Sequence, residues 1–148
     1  MDKYTKKGFI WGLLGTLAMT VVMLLAMVTK VSPMPAPIPV ALVKWAFGAL
    51  PQPALMLIGM IAHFLYGGIA GLVFSLIFRK ANLWKGFVWG ILLWLGMQLI
   101  FLPLLGWGAF GSAITPKIAV ATLVLHLIYG GTLGWGLSRM GHNSTRRY

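Results

Sequence analysis

The chain has 148 residues, of which 59% are hydrophobic and 9% are charged, and its mean hydropathy is +0.90. This composition lies outside the range of soluble globular domains and indicates an integral membrane protein. Because Asp2 is the only acidic side chain and cysteine is absent, the composition excludes carboxylate acid–base catalysis within the apolar segments, disulfides and thiolate metal sites.

Four apolar segments are long enough to cross a hydrocarbon core of about 30 Å. In chain order they are residues 8–29, 54–78, 86–105 and about 118–137. Each is predicted to be a helix, because lipid offers no hydrogen-bond partners to the backbone. The first segment is too long for a secretory signal and no A-x-A cleavage site follows it. The predicted fold class is therefore an all-α polytopic membrane protein with four transmembrane helices.

An insertion at residues 31–50 joins the first two segments. Prolines at positions 33, 35, 37 and 39 favour an extended, polyproline-like strap over Ser32 to Val40. Residues 41–50 are apolar but too short to span a membrane. They predict a short interfacial helix with Trp45 at the level of the lipid headgroups.

The two halves of the sequence repeat. KGFIWG at residues 7–12 recurs as KGFVWG 78 residues later, and HFLYGG at residues 63–68 recurs as HLIYGG 63 residues later. The repeat predicts two tandem helix hairpins in one domain, related by a pseudo-twofold axis along the membrane normal. Repeat 1 covers about 7–78, repeat 2 covers about 85–138, and a short basic tail at 139–148 follows.

Basic residues predict the orientation of the helices. Nine of the twelve Lys and Arg residues lie in the N-terminus, in the loop between the second and third segments, or in the C-terminus. By the positive-inside rule both termini are cytoplasmic in a cell (inner) membrane. Anionic lipid headgroups are the expected partners of these cations, and nucleic acid is not expected. A homo-oligomer or a larger membrane complex stays open.

Each segment carries a G-x-x-x-G pair on the cytoplasmic side. Small residues four apart allow helix backbones to approach closely in lipid. We therefore expect tight packing toward the cytoplasm and a cleft in the bulkier outer half. The helix-packing glycines are Gly8, Gly12, Gly67, Gly71, Gly86, Gly90, Gly130 and Gly134.

Polar side chains recur near the middle of the membrane. His63 and His126 lie about ten residues from the outer start of their helices, and at about 1.5 Å per residue this is near mid-depth. The expected site at the floor of the cleft comprises His63, His126, Thr20, Gln98, Tyr66 and Tyr129. In the simplest interpretation the other four side chains hydrogen-bond to the histidines and hold the helices together.

Three ligand interpretations remain open. The histidine pair has the symmetry of an axial pair for a b-type haem. Methionine thioethers select Cu(I), and a path toward His63 would comprise Met19, Met23, Met27, Met56 and Met60. Two neighbouring histidines also suit proton sensing near pH 6. No metal or cofactor is predicted from the residues alone, and haem b is the alternative.

Three stretches of the sequence resemble a known family. The runs NLWKG at residues 82–86, FLPLLG at 101–106 and HLIY at 126–129 resemble those of the YagU-like inner-membrane proteins, a poorly characterised group linked to acid resistance. The resemblance implies a small multi-pass inner-membrane protein with a role in acid stress, and it carries over no catalytic residue. The leading hypothesis is a non-enzymatic accessory or acid-stress-related component with a histidine pair at the floor of an outer cleft.

Overall fold

The computed structural model describes residues 2–142, with side chains through Met140. Over this range all regular structure is helical, and four helices are long and apolar enough to cross a membrane. The spans are α1 (Lys3–Val28), α3 (Gln52–Ile77), α4 (Leu83–Leu104) and α5 (Lys117–His142), and α2 (Ile38–Phe47) is a shorter apolar helix. Positions 143–148 of the predicted basic tail lie outside the described residues.

Polar caps start two of the spans before the apolar segments begin. The Asp2 carboxylate accepts a hydrogen bond from the Thr5 N–H at 2.7 Å, and the Asn82 side chain accepts one from the Lys85 N–H at 2.8 Å. Such caps satisfy N–H groups that have no partner within the helix. α1 and α4 therefore begin five and three residues before the segments inferred from hydropathy alone.

The strap before α2 is shorter than predicted. The helix begins at Ile38 rather than after Val40, with Pro39 in its first turn. Proline is tolerated there because its missing N–H would have no helical partner in any case. α2 also lies against α3, where Gly59 leaves room for Val40: a Cβ atom on Gly59 would come within 3.1 Å of that residue.

Glycines line the crossing of α1 and α3. A Cβ atom on Gly12 would collide with the carbonyl oxygen of Gly67. One on Gly71 would collide with the carbonyl oxygen of Gly8, and Gly67 also faces the hydroxyl of Thr16. Any side chain at these positions would separate the two backbones, so this crossing depends on glycine.

The crossing of α4 and α5 is also built from glycines. A Cβ atom on Gly86 would collide with the carbonyl oxygen of Gly130. One on Gly90 would collide with the carbonyl oxygen of His126, and Gly134 lies against Gly86. Each hairpin thus has its own close helix pair.

The second crossing is offset by one helical turn from the position that the sequence repeat predicts. The repeat aligns Gly86 with Gly8. In the packing, however, Gly86 takes the place of Gly12, because it meets the carbonyl oxygen of Gly130, the repeat counterpart of Gly67. The two hairpins therefore share their helix order but differ by four residues in the register of their crossings.

The bundle is closed on the side where α1 meets α5. Gly15 accommodates Tyr129, whose ring would lie 3.0 Å from a Cβ atom at that position. Gly136 accommodates the ring of Trp11, which also makes an edge-to-face contact with Trp135 at 5.8 Å between centroids. Small residues on both helices let the hairpins approach here.

On the opposite side, large side chains hold α3 and α4 apart. With the one-turn offset, Trp89 of α4 occupies the position that Gly15 has in α1, and its ring lies 6.0 Å from that of Phe74. The backbones of α3 and α4 make no approach comparable to that of α1 and α5 within residues 2–142. As a result Tyr66 is 45% exposed, whereas its repeat counterpart Tyr129 is 2% exposed. The expected twofold symmetry therefore holds for the order of the helices. It does not hold for the contacts between the hairpins, because α1 and α5 pack closely whereas α3 and α4 stand apart.

A π-helical turn at Met97–Phe101 interrupts α4. The N–H of Leu102 donates to the carbonyl of Met97, five residues back. Pro103 follows; in a regular helix its ring would clash with the carbonyl of residue 99, and the wider turn relieves this clash. The turn also carries Gln98 into the interior, where it is fully buried.

Polar contacts tie the start of α1 to the loop after α3. Arg79 pairs with Asp2, and the Tyr4 hydroxyl donates to the carbonyl of Phe78 at 3.0 Å. The Arg79 guanidinium holds the pKa of the Asp2 carboxyl well below its usual range. We call this end of the bundle the termini end, and the opposite end, which carries α2, the α2 end.

Candidate ligand-binding site

A cavity of about 340 Å³ lies between the helices toward the α2 end. The helices α1 to α5 all contribute to its wall, and most of the lining side chains are apolar. The glycine crossings lie on the termini side of the cavity. The helices touch at these glycines and separate toward the α2 end, where their residues are larger, and the cavity lies in the space between them. The volume falls within the range of about 300–1,000 Å³ that is typical of small-molecule sites.

Both histidines of the repeat line this cavity. The Nδ1 atom of His126 lies 2.8 Å from the carbonyl oxygen of Thr122, one turn earlier in α5. The Nε2 atom of His63 is enclosed and has no hydrogen-bond partner among the described residues. The structure thus brings together the two side chains that the repeat singled out, with different hydrogen bonding.

Thr20 and Gln98 do not line the cavity, contrary to the expected cleft floor. Gln98 donates through Nε2 to the hydroxyl of Thr122 at 2.8 Å, so it supports α5 rather than a histidine. Thr20 is buried, and its hydroxyl has no partner in the described part of the chain. Their chain neighbours Met19 and Met97 line the cavity, so the rotation of the two helices turns Thr20 and Gln98 away from it.

The two tyrosines line the cavity without bonding to a histidine. The Tyr129 hydroxyl donates to the carbonyl oxygen of Gly67 at 2.6 Å and so joins α5 to α3. Tyr66 packs edge-on against Phe101, with 6.3 Å between ring centroids. The hydrogen bonding expected from tyrosine to histidine is therefore replaced by a backbone contact and an aromatic contact.

Only part of the predicted methionine path reaches the cavity. Met19 and Met23 line it, whereas Met27 packs on the main core, and Met56 and Met60 pack beside α2. Met34 from the strap and Met97 from the π-helical turn line the cavity as well. The sequence repeat aligns Met97 with Met19, so Met97 had a signal in the sequence. Met34 had none, because it lies in the insertion, which has no counterpart in the second half.

The small residues beside the histidines are covered by neighbouring helices. Gly59 faces Val40 of α2, Gly67 faces Thr16 of α1, and Gly130 faces Gly86 of α4. They serve helix crossings, and of the small residues one turn from the histidines only Gly67 and Thr122 also line the cavity. Within residues 2–142, no group of three or more His, Cys, Asp or Glu side chains is placed to hold a metal ion.

The cavity reaches the outer surface of the bundle beside α2 and α3. Four lining residues are exposed and mark this mouth: Ala46, Phe47, Ala62 and Tyr66. The surrounding surface of the spans is apolar. A molecule entering here would pass an apolar rim with one phenol group.

Four apolar helices around an internal cavity define a small multi-pass membrane protein. The chain belongs to DUF6789, a family of unknown function whose profile matches residues 2–147. The chain is also similar to the Bacillus subtilis (strain 168) protein named "Uncharacterized protein YqhR", at 29% identity over 85 residues, which cover 57% of this chain and 46% of that protein. The chain thus spans about half the length of this curated relative. No solved structure matches the chain, and the resemblance to the YagU-like proteins stays a prediction.

Proposed function

We propose that this protein is a non-enzymatic membrane protein that binds one small, mostly apolar molecule in the cavity. The observation that carries the proposal is a cavity of about 340 Å³ bounded by the helices α1 to α5, with two imidazoles in an otherwise largely apolar wall. A few polar groups in a largely apolar pocket are typical of ligand sites, because they orient a ligand that apolar contacts retain.

The route of entry follows from the exposed rim. Because α3 and α4 stand apart and the surface beside them is apolar, the mouth faces the lipid when the four spans cross a membrane. The ligand would then come from the bilayer rather than from water. The predicted orientation, with the termini in the cytoplasm, places the cavity in the outer half of the membrane.

Cu(I) is the second candidate ligand. It is favoured by four thioethers and two imidazoles in the lining of one cavity, which include Met34 and Met97 in addition to the predicted Met19 and Met23. Equilibrium dialysis with Cu(I) tests it: binding lost in Met97→Leu would support copper, and no binding would reject it. A role in acid stress rests on the resemblance to YagU-like proteins alone, and the proton-sensing alternative stays a prediction.

The proposed function is tested by blocking the cavity. Purified protein in lipid nanodiscs is incubated with tritiated dodecan-1-ol, and empty nanodiscs give the background. We expect saturable binding that is lost in Leu125→Trp, which fills the cavity, and strongly reduced in Ala46→Trp, which narrows the mouth. Val124→Trp is the matched control, because the neighbouring Val124 is 49% exposed and lies outside the cavity.

Folding of each variant is checked by circular dichroism and thermal unfolding. The Ala46 variant keeps the test decisive if tryptophan at the buried position 125 prevents folding, since residue 46 is exposed. Binding that is unsaturable, or equal in all three variants, would reject the cavity as a ligand site.

A further inference from the structure

The hydrogen bonding of His126 fixes what its free nitrogen can do. Nδ1 lies 2.8 Å from the carbonyl oxygen of Thr122. A carbonyl oxygen only accepts hydrogen bonds, so Nδ1 must carry the hydrogen. In a neutral imidazole the other nitrogen, Nε2, is then a lone-pair acceptor. His126 therefore brings an obligatory acceptor to the wall of an apolar cavity.

Three hydroxyl groups deep in the cavity do not donate a hydrogen bond to the Nε2 atom of His126. The hydroxyl of Tyr129 donates to Gly67 at 2.6 Å. That of Thr122 donates to the carbonyl of Ile118 at 2.7 Å. That of Thr16 donates to the carbonyl of Gly12 at 2.8 Å. Each is committed to the backbone, and the hydroxyl of Tyr66, which also lines the cavity, makes no hydrogen bond to His126. The Nε2 atom of His126 therefore has no donor among the described residues, and a ligand can supply one.

His63 supplies a second unmet polar group on the same cavity. Its Nε2 atom has no partner among the described residues, and a buried polar group without a partner costs free energy. No Lys, Arg, Asp or Glu side chain lines the cavity. A charged head group would therefore be desolvated without a counter-ion, which disfavours an ionised carboxylate.

We propose that the ligand is a single-chain lipid whose head is a hydroxyl group that donates to the Nε2 atom of His126. This inference rests on the proposed function and adds the chemical class of the ligand. Ethers, esters and ketones only accept, so they leave the His126 acceptor unmet. The cavity of about 340 Å³ lies near the lower end of the size range of small-molecule sites, which suits one alkyl chain.

The tautomer of His126 is the first test. Nitrogen NMR of protein labelled with ¹⁵N-histidine, assigned with His126→Phe, distinguishes a protonated ring nitrogen from a lone-pair nitrogen. We expect hydrogen on Nδ1 and a lone-pair signal for Nε2 that shifts when dodecan-1-ol is added. Hydrogen on Nε2 of the empty protein would overturn the inference.

Competition against tritiated dodecan-1-ol is the second test. We expect unlabelled dodecan-1-ol to compete about fivefold or more better than 1-methoxydodecane, because one net hydrogen bond of about 1 kcal/mol gives that ratio. The ratio should fall to about one in His126→Phe and stay unchanged in Val124→Phe, which alters an exposed residue. 4-Hexylphenol in the same assay shows whether an alcohol or a phenol is the better hydroxyl donor.

The outcomes separate the two proposals. Equal competition by the alcohol and the ether, or tighter binding of laurate than of the alcohol, overturns the hydroxyl inference and leaves the cavity as a ligand site. Absence of any saturable binding overturns both.

Discussion

Glycine is needed at the helix crossings because a carbonyl oxygen of the partner helix leaves no room for a Cβ atom. At Gly12 and Gly86 the nearest atom to an added Cβ would be a carbonyl oxygen of the partner helix. A backbone atom cannot rotate away as a side chain can, so the helices themselves would have to separate. In lipid, where apolar burial gives helices little reason to associate, close packing of this kind is a main source of stability.

Gly86→Ala should lower the free energy of unfolding by about 1–3 kcal/mol, the usual cost of overpacking. Gly96→Ala is the matched control in the same helix, because a Cβ atom there meets nothing within 4 Å. That control should be neutral or stabilising by up to about 1 kcal/mol, since alanine favours helix more than glycine does. Circular dichroism during titration with sodium dodecyl sulfate measures both. Equal effects of the two substitutions would contradict the packing at Gly86.

At the scale of elements, helix rotation and register decide which side chains reach the cavity. Depth in the membrane follows from the rise per residue, and His63 and His126, which were predicted to lie at similar depth, both line the cavity. The rise per residue does not predict how each helix is rotated about its own axis. Gln98 was expected in the site, but the π-helical turn directs it to Thr122, while the same turn presents Met97 to the cavity.

α2 is the element whose position depends most on a single neighbour. It packs on α3 where Gly59 faces Val40, and six cavity-lining residues come from it. Its prediction from sequence was correct for existence and wrong for its start. Hydropathy shows that the segment is too short to span, but it does not show that Pro39 belongs to the first turn.

Gly59→Leu should displace α2 from α3 and open that wall of the cavity. Hydrogen–deuterium exchange of the amides of residues 41–47 measures the change, and we expect at least a tenfold faster exchange there with the four spans still protected. Gly96→Leu is the control, because that position has no neighbour within 4 Å of its Cβ. Unchanged exchange in α2 would mean that Gly59 does not hold the helix in place.

For the whole molecule, the distribution of basic residues and the length of the apolar helices together predict its orientation in the membrane. Basic side chains cluster at the termini end, where Lys3, Lys6, Lys7, Arg79, Lys80 and Lys85 lie. Lys30, Lys44 and Lys117 lie at the α2 end. The positive-inside rule then predicts that the termini end faces the cytoplasm.

The natural absence of cysteine makes this orientation directly measurable. We expect Lys117→Cys to react with a membrane-impermeant maleimide in intact spheroplasts, and Lys80→Cys to react only after permeabilisation. The opposite pattern would invert the orientation, and labelling of both in intact cells would contradict a four-span topology.

The sequence was sufficient for the four spans, because apolar length is a local property, and the repeat singled out the two histidines that line the cavity. It was insufficient for the asymmetry of the bundle. Matching KGFIWG to KGFVWG aligns Trp11 with Trp89, yet the one-turn offset puts Trp89 in the place of Gly15. Register between helices is set by which carbonyl each glycine meets, and that contact involves residues far apart in the chain.

The closed side between α1 and α5 and the gap between α3 and α4 have a mechanical consequence. Each hairpin is held internally by its own glycine crossing, and the hairpins are joined mainly along α1 and α5. We therefore expect the easiest relative movement of the two hairpins to be a rotation about the seam where Gly15 and Gly136 lie. Such a rotation would widen the mouth beside Tyr66 without breaking a contact inside either hairpin. A ligand in the cavity that contacts both hairpins would oppose this rotation.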